Sequence, residues 1–598
     1  MINNCLIDEL KKLKESSKEA VDNVSNISSF KKYIHVKRFI EDELFNIIVS
    51  AAKSNKSELI LVCGGVGDGK SHTISYLKNE YPEIISKFKI HNDATESFEP
   101  EKTSTDTLND ILKDFTDSNI SYSNKKLILA INLGVLSNFI ESKYADKFTK
   151  LSKYVRDKGI LNVDVSDNFY DENSNFQFVN FSDYNIYTLN SDKPKSKYID
   201  GIINKIIKED NKNRFMNSYK KNCISCVVNY KCPIKINYEM LMKNSVKEAL
   251  IDILIESTIK NKIIISTRSL MNFLYDFLVN VDLDNKNKHE LMKFIERINH
   301  KDFIKYIFVS NLFNHSELSQ ILNAISKIDP VNISSENLDN IIIKLSTTED
   351  MTEVFREYLD LCGDTYLETF MKTRDIIEST LDYEKRYVNK STLEDSIINM
   401  FIRLNLFIPK ENLQLRDTIY MNYMKNLYDW NKGNKTNLKD LYKDIKKAIY
   451  NWDGEAKNGM INISVGQNQV RYKISQRLNI APDIKGLMIN DRDELYKFRS
   501  NLKIKYKDNE KEYQDECYVD IDFNLYELLM RVKDGYRPNN NDKYNYINFV
   551  IFMDKIQKLG SKSRELYIED KLESCKCTYQ LTYDKDFDEF KFMNTNEV

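Results

Sequence analysis

Residues that punctuate a chain are scarce here, with 15 glycines and 8 prolines spread over 598 residues. Such a chain has little material for flexible linkers or a loop-dominated fold, so long and mostly helical elements are expected. Net charge is equally lacking. The formal charge of -2, from 88 basic and 90 acidic side chains, gives no global attraction to DNA or membrane, so nucleic-acid contact would need a local patch. No apolar run approaches the roughly 18 to 20 residues that span a bilayer, and the start "MINNCLIDELKKLKESSKEA" lacks a continuous signal-peptide core. A cytoplasmic protein without membrane association is expected. Nine cysteines, an odd number unevenly placed, do not resemble a secreted disulfide framework. Reduced thiols, with room for one metal site, are the expectation.

What the sequence does contain is a complete phosphate-loop pattern. In "LILVCGGVGDGKSHTISYL", Gly64, four residues, Gly69, Lys70 and Ser71 satisfy G-x-x-x-x-G-K-[ST]. The context fits, since "ELILVC" reads as a short buried strand and "SHTISYLKNEY" as a helix. The physical logic is that glycines let backbone N–H groups turn inward while the helix N-terminus adds partial positive charge. The expected nucleotide-binding set is Gly64, Gly65, Val66, Gly67, Asp68, Gly69, Lys70, Ser71 and His72. Lys70 would reach the β- and γ-phosphates of ATP, and the Ser71 hydroxyl would ligate Mg²⁺.

Hydrolysis needs more than binding. The next strongly apolar strand, "KLILAINLG", ends in Asn132 where many ATPases of this type place an acid. An asparagine can orient water or touch a γ-phosphate, but it cannot act as a carboxylate toward Mg²⁺ or as a general base. Asp93 in "FKIHNDATES" and Asp183 in "FVNFSDYNIY" each follow a strand-like segment and could project from a sheet's carboxyl edge, or could simply cap a turn. In "KIIISTRSLMNFLYDFL", Arg268 precedes apolar positions at helical spacing. It reads either as a γ-phosphate sensor on a helical lid or as a surface arginine. ATP binding is a firmer expectation than ATP turnover.

The segments "YIHVKR", "CGGVGDGKSH", "KIHNDATESFEPEKT", "AINLGVLSNFI", "FVNFSDYNIY" and "CPIKINYEML", in this order, resemble DptF, the P-loop subunit of bacterial DNA phosphorothioation-dependent restriction systems. The resemblance is densest over about residues 30 to 280, and "AIYNWDG" also fits. The joint presence of "HNDATESF" and "NLGVLSNF" is its most specific part. It implies action with two companion subunits, DptG and DptH, in a complex restricting DNA that lacks the sulfur-for-oxygen mark. It also carries Lys70 and Ser71 over as nucleotide residues. No D…E-x-K core and no H-N-H cluster is evident, so cutting is expected to fall to other subunits, with DNA met through the complex. A homo-oligomer is compatible with this reading.

Cys223, Cys226 and Cys232 form C-x2-C-x5-C in "NCISCVVNYKCPIKINYEML". Cysteines two apart suit tetrahedral Zn²⁺, but a fourth ligand is not evident nearby; an iron–sulfur cluster would also want four thiolates in most cases. Unliganded thiols are the competing reading. Cys63 reads as core, and Cys575 and Cys577 as structural. Two lysine-rich stretches, Lys432 to Lys447 near Trp430 and Tyr442, and Lys497 to Lys507, could meet a nucleic-acid backbone, a partner subunit or plain solvent.

The expected architecture is an α/β P-loop NTPase domain, then a mostly helical region and a C-terminal α+β domain. The divisions are 1–50 (N-terminal helices), 51–195 (P-loop NTPase domain), 196–285 (helical lid with the cysteines), 286–450 (all-helical) and 451–598 (α+β). In the last, "MINISVGQNQVRYKIS" reads as a hairpin around a Gly-Gln-Asn turn. Two functions stay open: a restriction-complex ATPase, or a nucleotide-dependent assembly switch with little turnover. A small-molecule kinase is disfavoured by the chain's size and the lack of an acceptor site.

Overall fold

The computed structural model describes residues 5–18, 29–65, 67–92, 103–161, 168–298, 300–333, 335–347, 390–408, 413, 415–457, 459–463, 471–487, 489–508, 517–560, 565–570 and 578–595. Asp93, Val66, Cys575 and Cys577 lie outside the described residues, as do residues 348–389 of the stretch expected to be all-helical. The chain divides into two compact units, residues 1–188 with 194–416, and residues 189–193 with 417–598.

The first unit is built on a parallel sheet of β1 (Glu58–Cys63), β2 (Lys89–His91), β3 (Lys126–Ile131) and β4 (Phe176–Asn180), in the order β2-β3-β1-β4. Every residue of β1 and β4, and all but the first of β3, is buried. These strands read as unbroken apolar runs because helices cover both faces of such a sheet. On one face Leu59, Leu61, Leu127, Leu129, Phe176 and Phe178 join side chains from the flanking helices, among them Leu136 and Phe139, in one core. The register sets Cys63 of β1 level with Ile131 of β3 and Asn180 of β4. Three carboxyl ends therefore finish together, with the glycine loop leaving the middle one.

The rest of this unit is helical. Helix Thr267–Leu278 shows the apolar face expected of its sequence, with Leu270, Phe273, Leu274 and Phe277 fully buried. The N-terminal helix Leu6–Lys18 packs along it. Lys14 of that helix reaches Asp276 at 2.8 Å and Asp284 at 3.5 Å while lying 4.4 Å from the Tyr275 ring centroid. Further along, Arg403 in helix Lys390–Asn405 makes a forked, buried pair with Asp329, its Nε at 3.1 and 3.2 Å and its Nη2 at 2.5 Å, and also donates to Asn314.

The second unit holds antiparallel sheets. One has the order β12-β11-β10-β6-β5, formed by β5 (Met460–Asn462), β6 (Tyr472–Arg477), β10 (Glu565–Asp570), β11 (Thr578–Asp584) and β12 (Glu589–Asn594). The other has the order β7-β8-β9, formed by β7 (Ile480–Pro482), β8 (Leu502–Asp508) and β9 (Cys517–Ile521). β5 and β6 pair antiparallel, Ile461 opposite Gln476, as the alternating pattern predicts. Helices Thr418–Lys432, Lys439–Asn451, Phe523–Lys533 and Ile547–Gly560 complete this α+β unit.

Candidate functional site

The glycine loop connects β1 to helix Lys70–Glu80, and its backbone is one that only glycine adopts without strain. Gly64 has φ +152° and Gly67 +91°. A Cβ on Gly64 would meet the Asp68 Oδ2 at 2.7 Å and the Phe181 Cβ at 3.0 Å. The loop is thus a cradle with no room for a side chain on its floor.

The cradle holds an internal anion. The Asp68 carboxylate folds back so that its Oδ2 accepts from the Gly65 N–H at 2.5 Å and from the Ser182 hydroxyl at 3.1 Å. A negatively charged group satisfied by loop N–H donors is the behaviour expected of an anion-binding concavity. Lys70 Nζ donates to the carbonyls of Gly64 at 3.0 Å and Gly65 at 2.5 Å, so its charge stays against the same loop. Ser71 is exposed at the start of the helix.

Three other elements converge on the loop. Arg38, the residue before helix Phe39–Lys53, donates through Nη1 to the Asp68 carbonyl at 2.7 Å and through Nη2 to the Tyr184 carbonyl at 3.3 Å. Its guanidinium also lies 5.6 Å from the Tyr198 ring centroid. The turn after β4 supplies Ser182, and there Asn180 Nδ2 donates to Asp183 Oδ1 at 2.7 Å, which fixes that carboxylate next to the loop's strand. The third is the start of helix Thr267–Leu278: Ser266 caps it by accepting from the Ser269 N–H at 3.1 Å, and a Cβ on Gly67 would lie 3.4 Å from the Ser266 Cβ. Arg268 is exposed two residues beyond Ser266. The structure therefore brings Lys70, Asp183 and the Arg268 helix start to one loop.

Asn132 stands at the end of β3 and caps helix Leu133–Ile140, its Oδ1 accepting from the Gly134 N–H at 2.9 Å. One lone pair of the oxygen is committed to the cap, and the amide N–H groups are the donors this side chain can offer a ligand.

His72 packs against His35. Its Nε2 lies 3.1 Å from His35 Nδ1, and His35 stacks on Tyr76 with ring centroids 3.6 Å apart. His35 Nε2 and the buried Glu41 Oε2 approach to 3.2 Å without hydrogen-bond geometry. Burial first, and then the neighbouring His35, lowers the His72 pKa from its ordinary 6.5 to about 4. His72 is thus neutral at physiological pH and acts as packing behind the loop. Burial pushes the Cys63 thiol up to about 12, against the pull of Lys70, so Cys63 is a core thiol rather than a nucleophile.

Arg38, Ser182 and Ser266 are the functional residues that the sequence reading did not single out. Of these only Arg38 had a signal, its place in "YIHVKR" ahead of the loop.

The cysteine loop adopts successive tight turns, with Cys226 N–H donating to the Cys223 carbonyl at 3.3 Å and Asn229 N–H to the Cys226 carbonyl at 3.1 Å. Cys232 caps helix Pro233–Leu241. Cys5, immediately before helix Leu6–Lys18, lies against the same loop, and Cys5, Cys223, Cys226 and Cys232 line one cavity. Burial raises the thiol pKa of Cys223, with Cys232, Cys5 and Cys226 adding to it as neighbouring charges.

In the second unit several members of the lysine-rich stretches are engaged within the fold, while Lys435, Lys439, Lys443 and Lys447 are exposed. Lys446 donates to the Ile480 carbonyl at 2.8 Å, Lys432 to that of Arg492 at 2.8 Å, and Arg499 pairs with Asp520 at 2.8 Å. Tyr442 is buried, and the Trp430 indole N–H donates to the Lys503 carbonyl at 3.2 Å, so neither is presented as a stacking platform. Among the described residues no helix is long and apolar enough to cross a membrane. No family model, curated protein or solved structure matches the chain.

Proposed function

We propose that this chain binds ATP with Mg²⁺ at the glycine loop and hydrolyses it, as the nucleotide-driven subunit of a bacterial complex that restricts DNA lacking a phosphorothioate mark. The observation that carries the nucleotide part is the cradle itself, a side-chain-free loop at a strand's carboxyl end whose N–H donor already satisfies a carboxylate. The DNA part rests on the resemblance to DptF in "HNDATESF" and "NLGVLSNF". Companions like DptG and DptH would then supply DNA cutting.

In this reading Lys70 turns from the loop carbonyls toward the β- and γ-phosphates, and Ser71 presents its hydroxyl to Mg²⁺. Arg268 approaches the terminal phosphate from the adjoining helix and stabilises charge that develops there. Asp183, held by Asn180, is the described carboxylate placed to orient water, and Asp93 is the second candidate. Asn132 contributes amide donors and no base. The bound nucleotide supplies a phosphoanhydride whose cleavage can drive a change of shape.

The test is ATP binding and turnover by the wild type, Lys70→Ala and Arg268→Ala, alone and with the companion subunits and modified or unmodified duplex DNA. Lys70→Ala should lose binding and turnover together. Arg268→Ala should keep binding within a few-fold while turnover falls about 10²-fold, the scale for removing one preorganised charge-stabilising donor. Nucleotide affinity unchanged in Lys70→Ala would defeat the reading. A second reading, an assembly switch with little turnover, is favoured by the capping role of Asn132. It predicts tight binding with no Lys70-dependent hydrolysis under any condition.

A further inference from the structure

Four of the six described cysteines sit around a single small cavity, although one of them comes from the chain's start and three from the Cys223–Cys232 loop. The thiols of Cys223 and Cys232 are buried and those of Cys5 and Cys226 partly so. Two of the four stand at helix N-termini, Cys5 before Leu6–Lys18 and Cys232 before Pro233–Leu241. Lys235 and Lys288 on the cavity wall can offset the negative charge that four thiolates bring together, and the wall is completed by Leu291, Met292 and Ile295 of helix Lys288–Arg297 with Asn222, Val228 and Asn229 of the cysteine loop.

We infer that Cys5, Cys223, Cys226 and Cys232 are the four ligands of an iron–sulfur cluster that pins the N-terminal helix to the helical body of the first unit. Cys5 is the fourth thiolate that the C-x2-C-x5-C loop lacks by itself. Failure to converge on one point separates a cluster from a zinc ion. Zinc draws its thiolates onto one point at about 2.3 Å, whereas among the described residues no three His, Cys, Asp or Glu side chains are arranged to hold one metal ion. The sulfurs instead ring a cavity of about 20 Å³. A cluster's own iron and sulfide keep its four cysteines apart in this way. Loading releases the four thiol protons and those of hydrosulfide to solvent as four cysteine–iron bonds form, with ferrous and ferric iron and hydrosulfide as the co-reactants, so the oxidised cluster forms without net electron transfer. No electron transfer is part of the role, which is to fasten two segments distant in sequence.

The test is anaerobic purification of the full chain, or its loading with ferrous and ferric iron and sulfide, followed by iron, zinc and acid-labile sulfide determination and visible absorption. The expected result is iron and acid-labile sulfide in equal amounts, about two to four of each per chain, with a broad visible band that bleaches on reduction. Cys5→Ser and Cys226→Ser should each lower the iron content at least threefold, while Cys517→Ser, at a buried cysteine in the second unit, should leave it unchanged. Far-UV circular dichroism establishes that each variant is folded, and if Cys5→Ser fails to fold, Cys226→Ser decides the matter. The inference is overturned if zinc binds without sulfide, if no iron is retained after loading, or if a folded Cys5→Ser or Cys226→Ser keeps the full iron content. Nucleotide binding is not read in this experiment, so its failure and that of the ATP reading are distinguishable.

Discussion

Replacing Asp68 by alanine should tighten nucleotide binding, the opposite of what substitution inside a phosphate-binding loop ordinarily does. In the free protein the Asp68 Oδ2 takes the Gly65 N–H at 2.5 Å and the Ser182 hydroxyl at 3.1 Å, both donors that an incoming phosphate would use. Hydrogen bonds to a charged group contribute about 1.5 to 3 kcal/mol, and nucleotide must displace this arrangement before forming its own. Water takes over the same donors once the carboxylate is gone, so only part of that figure is recovered. A gain of about 1.4 kcal/mol, or about tenfold in Kd, is the expected scale. Titration calorimetry with Mg·ATP should show this gain for Asp68→Ala, a smaller one for Asp68→Asn, and a difference between wild type and variant that shrinks as salt rises. Lys70→Ala provides the control in which binding is lost. An unchanged or weaker Kd in a folded Asp68→Ala protein would refute the view that this carboxylate occupies the phosphate position.

Three further outcomes follow from the geometry. Gly64→Ala places a Cβ 2.7 Å from Asp68 Oδ2 and 3.0 Å from Phe181 Cβ at a φ of +152°; it should cost about 1 to 3 kcal/mol of stability and abolish nucleotide binding, both measurable by thermal shift with and without Mg·ATP. His72, whose pKa is lowered to about 4 in the folded chain, binds its proton more readily when unfolded, so stability should be full above pH 6.5 and decline as pH falls from there toward 4. The loss should reach about 3 kcal/mol at most, and a denaturation series across that window should show a shallower slope for His72→Gln. Arg403→Ala leaves the buried Asp329 without its forked partner and should destabilise the first unit by about 3 to 5 kcal/mol, read as an earlier first transition in urea.

The parallel strands were legible because a strand covered on both faces must be apolar throughout, as "ELILVC" and "KLILAI" are. Helix Thr267–Leu278 was legible through its three-and-four spacing, and the β5–β6 hairpin through alternation. What could not be read is of a different kind. Arg38 grips the loop through carbonyls of Asp68 and Tyr184, and a backbone acceptor leaves no trace in the type of residue that supplies it. Asp68 fits the motif as an unspecified position, so nothing marks it as the anion that fills its own cradle. Cys5 could not be joined to the other three cysteines because no local pattern connects a residue at the chain's start with a loop beyond residue 220. It is the packing of helix Leu6–Lys18 along Thr267–Leu278 that brings it there.

That packing links the two sites proposed here. Helix Thr267–Leu278 meets the glycine loop at Ser266, carries Arg268 two residues further on, and at its other end holds the N-terminal helix through Asp276 and Lys14. The Asp276 carboxylate is buried, so the 2.8 Å contact with Lys14 is its compensation, and separating the helices would strand a charge in the core. The helix pair is therefore constrained at three points: the Cys5 end, the Lys14 pair and the loop contact at Gly67. A rigid element fixed in this way transmits displacement along its length instead of absorbing it. If nucleotide draws Arg268 toward the loop, the Lys14 pair and the cysteine-lined cavity must either move with it or hold it back. Fastening Cys5 to the Cys223–Cys232 loop favours the second, because it anchors the partner helix to the body against which the moving end is judged. The cysteine centre would then set how far the Arg268 helix can travel, a mechanical role needing neither proximity to the phosphates nor a change of redox state.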